Sequence, residues 1–329
     1  NFNGNKFIEI GKFSISAYAN FSQNFNTILE MEESILNEAN GDFNYSNGSY
    51  LARIQIGNPL GSLYGFRYKG VYQNNYNTNW TRQDWADALT KIKDKDPEAE
   101  LHDFYPVACD DQGNTLYGAD GKPLRMVYNY ADGKAAYAFR GGDAIYEDIN
   151  KDGNINQLDI VYLGNSNPKL QGGFGLTFQY KRLSLKSQFT YRYGVDVLNT
   201  ARMNVENMYT NNNQSIAVNW RWRKDGDVTM MPRALYNTGY NWLGSDRYLE
   251  DASYLRMSYL QLSYSVDPAL LKKYGLSQLY LSGSANNLFI LSKYTGLDPE
   301  IGADGWGRAF DNSKTPRSRS FTLSLTLGF

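Results

Sequence analysis

The chain has 329 residues, with 33 Lys and Arg against 34 Asp and Glu, a formal net charge of −1. That balance supplies none of the strong positive field that nucleic-acid binding uses, so no nucleic-acid partner is expected. A single cysteine, Cys109, excludes an intramolecular disulfide and any multi-cysteine metal site, and a single histidine, His102, argues against a His-based relay or zinc centre.

No apolar run is long enough for a transmembrane helix. The chain opens NFNGNKFIEI, without the basic region, apolar run and cleavage site of a signal peptide and without Met, so a processed chain or a fragment is expected. The 27 Tyr, 16 Phe and 30 Gly against 9 Pro favour strands joined by open turns.

In chain order, Phe13, Ile15, Ala17, Ala19 and Phe21 alternate with Lys12, Ser14, Ser16, Tyr18 and Asn20, which predicts a strand. Residues 28–37 (ILEMEESILN) have modest helical potential. Residues 50–72 read as a strand broken by Gly57, Pro59, Gly61, Gly65 and Gly70. A long loop, 73–168, follows. Phe174, Leu176, Phe178 and Tyr180 then alternate with Gly and polar residues. After the tight turn at Lys181-Arg182, so do Leu183, Leu185, Phe189, Tyr191 and Tyr193.

A second loop occupies 195–250. The strand at 254–266 slips phase midway, as a bulge allows. The strand at 276–291 ends in the run Leu288-Phe289-Ile290-Leu291. A third loop, 292–317, leads to a terminal strand, 318–329, in which Phe321, Leu323, Leu325, Leu327 and Phe329 form one greasy face. About seven strands are therefore predicted, with short connections alternating with long ones.

This is the pattern of an antiparallel transmembrane β-barrel, with one rim of short turns and one of long loops. The alternating segments run about ten residues, enough to cross a bilayer when tilted. Their second face is Ser, Thr, Gln, Lys and Arg, which suits a wet lumen, and Tyr191 and Tyr193 at a strand end suit an interfacial girdle. A soluble β-sandwich also alternates inward and outward residues and is the competing architecture.

One motif has the spacing of a cation loop. Asp148, Asn150, Asp152, Asn156 and Asp159 fall at loop positions 1, 3, 5, 9 and 12, with Gly153 at 6. A hard cation such as Ca2+ wants six to eight oxygens converging from a tight coil. Asp148, Asn150 and Asp152 would ligate by side chain, Asn154 by its carbonyl and Asn156 through water, with Asp159 closing the set and Ile155 anchoring the loop. A weak, structural affinity on the order of 10⁻⁴ M is expected. The flanks do not read as paired helices, and a solvated Asn/Asp/Gly turn is the plain alternative.

A second motif, Trp220-Arg221-Trp222-Arg223, could stack on sugar rings or grip peptide groups. Packing against neighbouring loops or a partner protein is its plain alternative. No catalytic constellation is present, so no enzyme activity is expected.

Several blocks together resemble one family, the SusC-like TonB-dependent transporters of the bacterial outer membrane. IGNPLGSLYGFRYKGVYQ (56–73) is similar to the family's Gly-x-Pro-x-Gly-x-x-Tyr-Gly strand. The block from GGDAIYEDINKDG to QYKRLSL (141–185) resembles its acidic loop and hairpin, and NWRWRKDGDVTMMPRA (219–234) its Trp-rich loop. The best-matching block runs from ASYLRMSYLQLSYSVDP to GLDPEI (252–301), followed by the strand ending Leu327-Gly328-Phe329. Residues 102–130 carry none of the resemblance.

The resemblance implies that residues 1–329 are the C-terminal part of one barrel domain of roughly 22 strands, its plug, TonB box and earlier strands lying outside this sequence. It implies a multi-pass outer-membrane protein bathed in lipid and importing a glycan or oligopeptide. A SusD-like lipoprotein would cover the extracellular loops, and TonB would act through the missing N-terminal part. With Phe329 in the periplasm, the loops around Asp148, Trp220 and 292–317 would be extracellular and the turns at Lys181-Arg182 and 267–274 periplasmic.

The barrel-assembly machinery would read Phe321, Leu323, Leu325, Leu327 and Phe329 by strand addition. A transporter-like barrel serving as a structural component of a larger outer-membrane assembly is the alternative role. A soluble carbohydrate-binding domain is a further one.

Overall fold

The stretches that alternate with period two become the strands of one antiparallel sheet in the computed structural model, which describes residues 6–34, 36, 47–50, 54–129 and 136–329. Its strands are β1 (Lys6–Ile10), β2 (Phe13–Ser22), β3 (Leu170–Tyr180), β4 (Leu183–Tyr193), β5 (Tyr254–Ser265), β6 (Gln278–Ser292) and β7 (Ser320–Gly328). Each pairs with the next in chain order, so the sheet is a meander with β1 and β7 at its edges.

Paired residues share a face, and the register sorts side chains across the whole width. One row runs Ile8, Ile15, Phe178, Leu185, Leu262, Gly283, Leu323. A neighbouring row on the other face runs Ser16, Thr177, Lys186, Gln261, Ser284, Thr322. The sheet thus has a greasy side and a hydrophilic side, as a barrel wall between lipid and lumen requires. A soluble sandwich would cover the greasy side. Here Leu323 is 87% exposed and Phe329 91%.

The phase slip in β5 is a bulge. Register shifts between Met257 and Tyr259, leaving Ser258 as the extra residue, and the Ser258 hydroxyl donates to the Gln188 carbonyl at 3.1 Å. Past it, Leu255 and Met257 rejoin the greasy face opposite Tyr191 and Phe189, while Arg256 lies opposite Thr190 on the hydrophilic face.

The short connections gather at one end. Gly11 and Lys181 take positive φ (62° and 53°) in two tight hairpins. Asp267 caps the short helix Pro268–Leu271, its side chain accepting the Ala269 amide at 2.8 Å. Backbone bonds tie these turns together: Lys181 donates to Lys12, Ser265 to Arg182, and Ser277 to Gly328.

One expected wall strand is elsewhere. Residues 62–71 form two short strands, Ser62–Gly65 and Tyr68–Val71, which pair with Val161–Asn165 and Ala144–Tyr146 inside the loop body. The glycines that break the segment suit short ladders and close backbone approach, not a membrane crossing. β1, only five residues long, takes the place in the sheet. The helical expectation over 28–37 fails at its start, where Ile28 exchanges backbone bonds with Gly57 and Asn58, but residues 33, 34 and 36 are helical, the Leu36 amide donating to the Glu32 carbonyl; residues 35 and 37 lie outside the described residues.

The hydrophobic core sits in the long loops, not in the wall. One cluster joins Tyr64, Phe66, Met126, Phe139, Ile155 and Leu243. Another forms under α1 (Arg82–Lys93), where Trp85 and Ala88 meet Leu101 and Val107. Thr81 and Asp84 start that helix with a reciprocal capping box. A third packs Met203, from α2 (Thr200–Glu206), with Val218, Trp242 and Tyr248. A fourth joins Val195 and Val197 to Tyr294 and Ile301. Among the described residues no helix is long and apolar enough to cross a membrane.

Candidate functional site

The loop body stands at the end of the wall opposite the short turns, and its segments are locked together. Asp143 is fully buried and takes a salt bridge from Arg233 (Nε to Oδ1, 2.7 Å), a hydrogen bond from the Tyr137 hydroxyl (2.8 Å) and one from the Arg140 amide (2.8 Å). This network fastens the second long loop to the first. Burial, with Asp143 beside it, pushes the Tyr137 phenol well up.

The cation-type loop is a coil of carboxylates over a buried anchor. Asp148 accepts the Gly153 amide (2.8 Å) and the Asp152 amide (3.3 Å). Asp159 accepts the Ile149 and Asn156 amides, both at 2.8 Å. Asp152 accepts from the Asn154 amide (2.7 Å) and the Asn150 side-chain amide (2.8 Å), and Asn156 from the Leu158 amide (2.8 Å). Ile155 is buried in the first core cluster, and its strand pair Asn154–Ile155 runs parallel to Val127–Tyr128.

Burial pushes the Asp159 carboxyl up to about 6, against the pull of the two amides, with Asp148 and Asp152 adding to the push. Burial raises Asp148 as well. Such a set gains from a positive charge, which fits a cation. Among the described residues, however, no three His, Cys, Asp or Glu side chains are gathered as a metal centre.

The Trp-rich segment splits into two environments. Trp222 is 7% exposed; its indole N–H donates to the Gln73 carbonyl at 3.0 Å, and its ring lies on Gly142, where a Cβ would come within 2.3 Å. Trp220 is 77% exposed. Arg221 donates to the Val218 carbonyl and Arg223 to that of Asn219, both folding back on their own turn. Of the four residues expected to meet a ligand or partner, Trp222 serves packing and Trp220 stands free to make a contact.

Phe321, Leu323, Leu325, Leu327 and Phe329 are all exposed along β7, which pairs only with β6 among the described residues. They line an open sheet edge, the geometry that strand addition uses.

A charged cluster was not singled out in the sequence. Arg256, 4% exposed, binds Asp298 (Nη2 to Oδ1, 2.6 Å) and approaches Glu300 (3.5 Å). Arg317 binds Glu300 at 2.6 Å, and its amide donates to Asp298 at 3.2 Å. Against the upward push of burial, the Glu300 amide and the Arg256 guanidinium hold the Asp298 carboxyl below its ordinary value. An arginine in the slipping phase of β5 was the available signal; its partner Asp298 lies 42 positions on. The cluster borders a cleft of about 510 Å³ on the hydrophilic face, reached by Arg192 from β4 and Asn20 from β2.

No family model matches the chain. It is 27% identical over 327 residues to TonB-dependent receptor P39 of Formosa agariphila, covering 97% of this chain and 29% of the relative. It is 25% identical over 220 residues to TonB-dependent receptor SusC of Bacteroides thetaiotaomicron, covering 65% of this chain and 18% of the relative. The chain is SusC-like.

Among solved structures, this SusC-like chain superposes on the RagAB peptide transporter with a TM-score of 0.61 at 21% identity, covering 99% of this chain and 28% of that one. The RagAB peptide importer in its closed-closed state gives 0.60 at 20% identity. The SusC-like chain therefore spans less than a third of the length of these relatives. Its seven strands form a segment of an antiparallel transmembrane barrel, and it is a bacterial outer-membrane protein. The relatives are receptors and transporters by name, not enzymes.

Proposed function

We propose that this chain is part of a TonB-dependent importer that takes up a glycan or oligopeptide across the outer membrane together with a SusD-like surface lipoprotein. The observation that carries this reading is the two-faced wall with its long loops packed into one body at a single rim. Such a rim receives a ligand, and the hydrophilic face leads it inward. The RagAB likeness makes oligopeptides the first class to try.

Energy would enter through TonB acting on the N-terminal part of the whole protein, and the barrel-assembly machinery would engage the open β7 edge. The test is uptake of fluorescently labelled oligopeptides and oligosaccharides by cells carrying the whole protein. Deleting its TonB-contacting segment should abolish uptake. Undiminished uptake would overturn active import, and a barrel that is abundant yet moves nothing would be a structural component.

Calcium held by Asp148, Asn150, Asp152, Asn154, Asn156 and Asp159 is part of the same reading. The raised carboxyls of Asp148 and Asp159 and the buried Ile155 anchor support it. The ion would stiffen the loop by joining carboxylates otherwise held by amide groups, and would have no part in chemistry. Chelator should speed proteolysis near residue 150 in the whole protein, and Asp148→Ala should remove that dependence. Equal digestion with and without chelator would remove the metal.

A further inference from the structure

The cleft on the hydrophilic face carries more positive charge than its own carboxylates use. It lies where β2, β3, β4 and β5 reach the long-loop rim, and its neutral lining includes Asn20, Gln171, Thr190 and Tyr254. Arg192, Arg256 and Arg317 line it with Glu300, and a smaller cavity of about 190 Å³ beside it adds Lys314 and Asp298. Four cations thus face two carboxylates.

Arg256 and Arg317 are committed to Asp298 and Glu300. Arg192 is not: it sits opposite Tyr254 and Gln171 in the register, half-buried, and its guanidinium has no carboxylate or hydrogen-bond partner among the described residues. Arg256 adds a second unmet donor, since its Nε is buried without a hydrogen-bond partner. A buried guanidinium left short of acceptors costs free energy unless something supplies them. The cleft volume is that of a small-ligand site, and a guanidinium is suited to a carboxylate because two parallel N–H groups match its two oxygens.

We propose that this cleft is a subsite on the import path that grips a carboxylate of the nutrient, with Arg192 as its principal donor. The proposal deepens the import reading and rests on it. The carboxylate could end a peptide or belong to a uronic acid, and the hydrogen-bonding side chains around Arg192 suit either.

The test uses the whole receptor with its native partners, purified in detergent for binding and carried by cells for uptake, and four probes: a peptide with a free carboxyl end, the same peptide amidated, a uronate oligosaccharide and its neutral counterpart. Arg192→Gln should weaken one carboxylate probe by tenfold or more and its neutral twin by less than twofold. Arg192→Lys should restore part of the loss. Which acidic probe responds names the source.

Arg192→Gln leaves the Arg256–Asp298 and Arg317–Glu300 pairs intact, so outer-membrane abundance and thermal stability should not change. Equal weakening of charged and neutral twins, or none, would overturn the subsite. A wild-type receptor that binds and imports only the neutral probes would overturn it and leave import standing. One that imports none of the four would overturn both.

Discussion

Asp298 and Glu250 hold the third long loop by different routes. Glu250 accepts the Thr295 amide at 2.8 Å and meets Arg202, and Asp298 is clamped by Arg256. Burial pushes both carboxyls up, but the Thr295 and Glu300 amides and the arginines more than offset it, so both sit below their ordinary values. A carboxyl lowered on folding binds fewer protons in the folded state, so its contribution is present above its unfolded value and lost as pH falls through the folded one. Acidification below about pH 4 should therefore release residues 293–317 before the other loops, read as faster amide exchange there in the whole protein. Uniform exchange across all loops would count against this clamp. None of it was visible in the sequence, because Arg256 and Asp298 meet only after the chain has turned back. Asp148 to Asp159 were visible, because that spacing is local.

At the scale of elements, strands read well and loops poorly. Alternation marks β2, β3, β4 and β7 because lipid and water impose opposite demands on successive residues. The core of the loop body leaves no such trace. Trp85, Leu101 and Val107 come from a helix, a turn and an extended stretch, so no single period records them. Residues 62–71 misled for a related reason: with Leu63, Tyr64, Phe66 and Tyr68 they read as a crossing strand, yet Leu63, Tyr64 and Phe66 are buried in protein.

The Ser258 bulge is where the pattern faltered for a structural cause. Deleting Ser258 would restore strict alternation with Met257 still opposite Phe189 and Arg256 still opposite Thr190, whereas Arg256→Met would take the guanidinium away from Asp298. Breaking a buried ion pair costs on the order of 3–5 kcal/mol. Arg256→Met should sharply lower both outer-membrane abundance and resistance to urea in lipid vesicles. Wild-type resistance would show that the Arg256–Asp298 pair adds nothing to stability.

As a whole, the molecule is a wall with two open edges and a body of loops. β1 and β7 each lack a neighbour on one side among the described residues, and unpaired backbone in hydrocarbon costs several kcal/mol per group. Expressed alone, the 329-residue chain should need detergent or aggregate. A compact monomer in plain buffer, with Leu323 and Phe329 protected from solvent, would contradict the orientation of the wall. The class of fold was legible because it is written in that one-sided greasiness. The division of labour between wall and loops was not, because it depends on contacts among segments far apart in the chain.

That division has a physical corollary. A transmembrane wall must match the thickness of the hydrocarbon around it, whereas the clusters around Trp85 and Trp242 are packed from their own side chains in the loop body. Shortening the tails of the surrounding lipids would strain one half of the polypeptide through hydrophobic mismatch and spare the other.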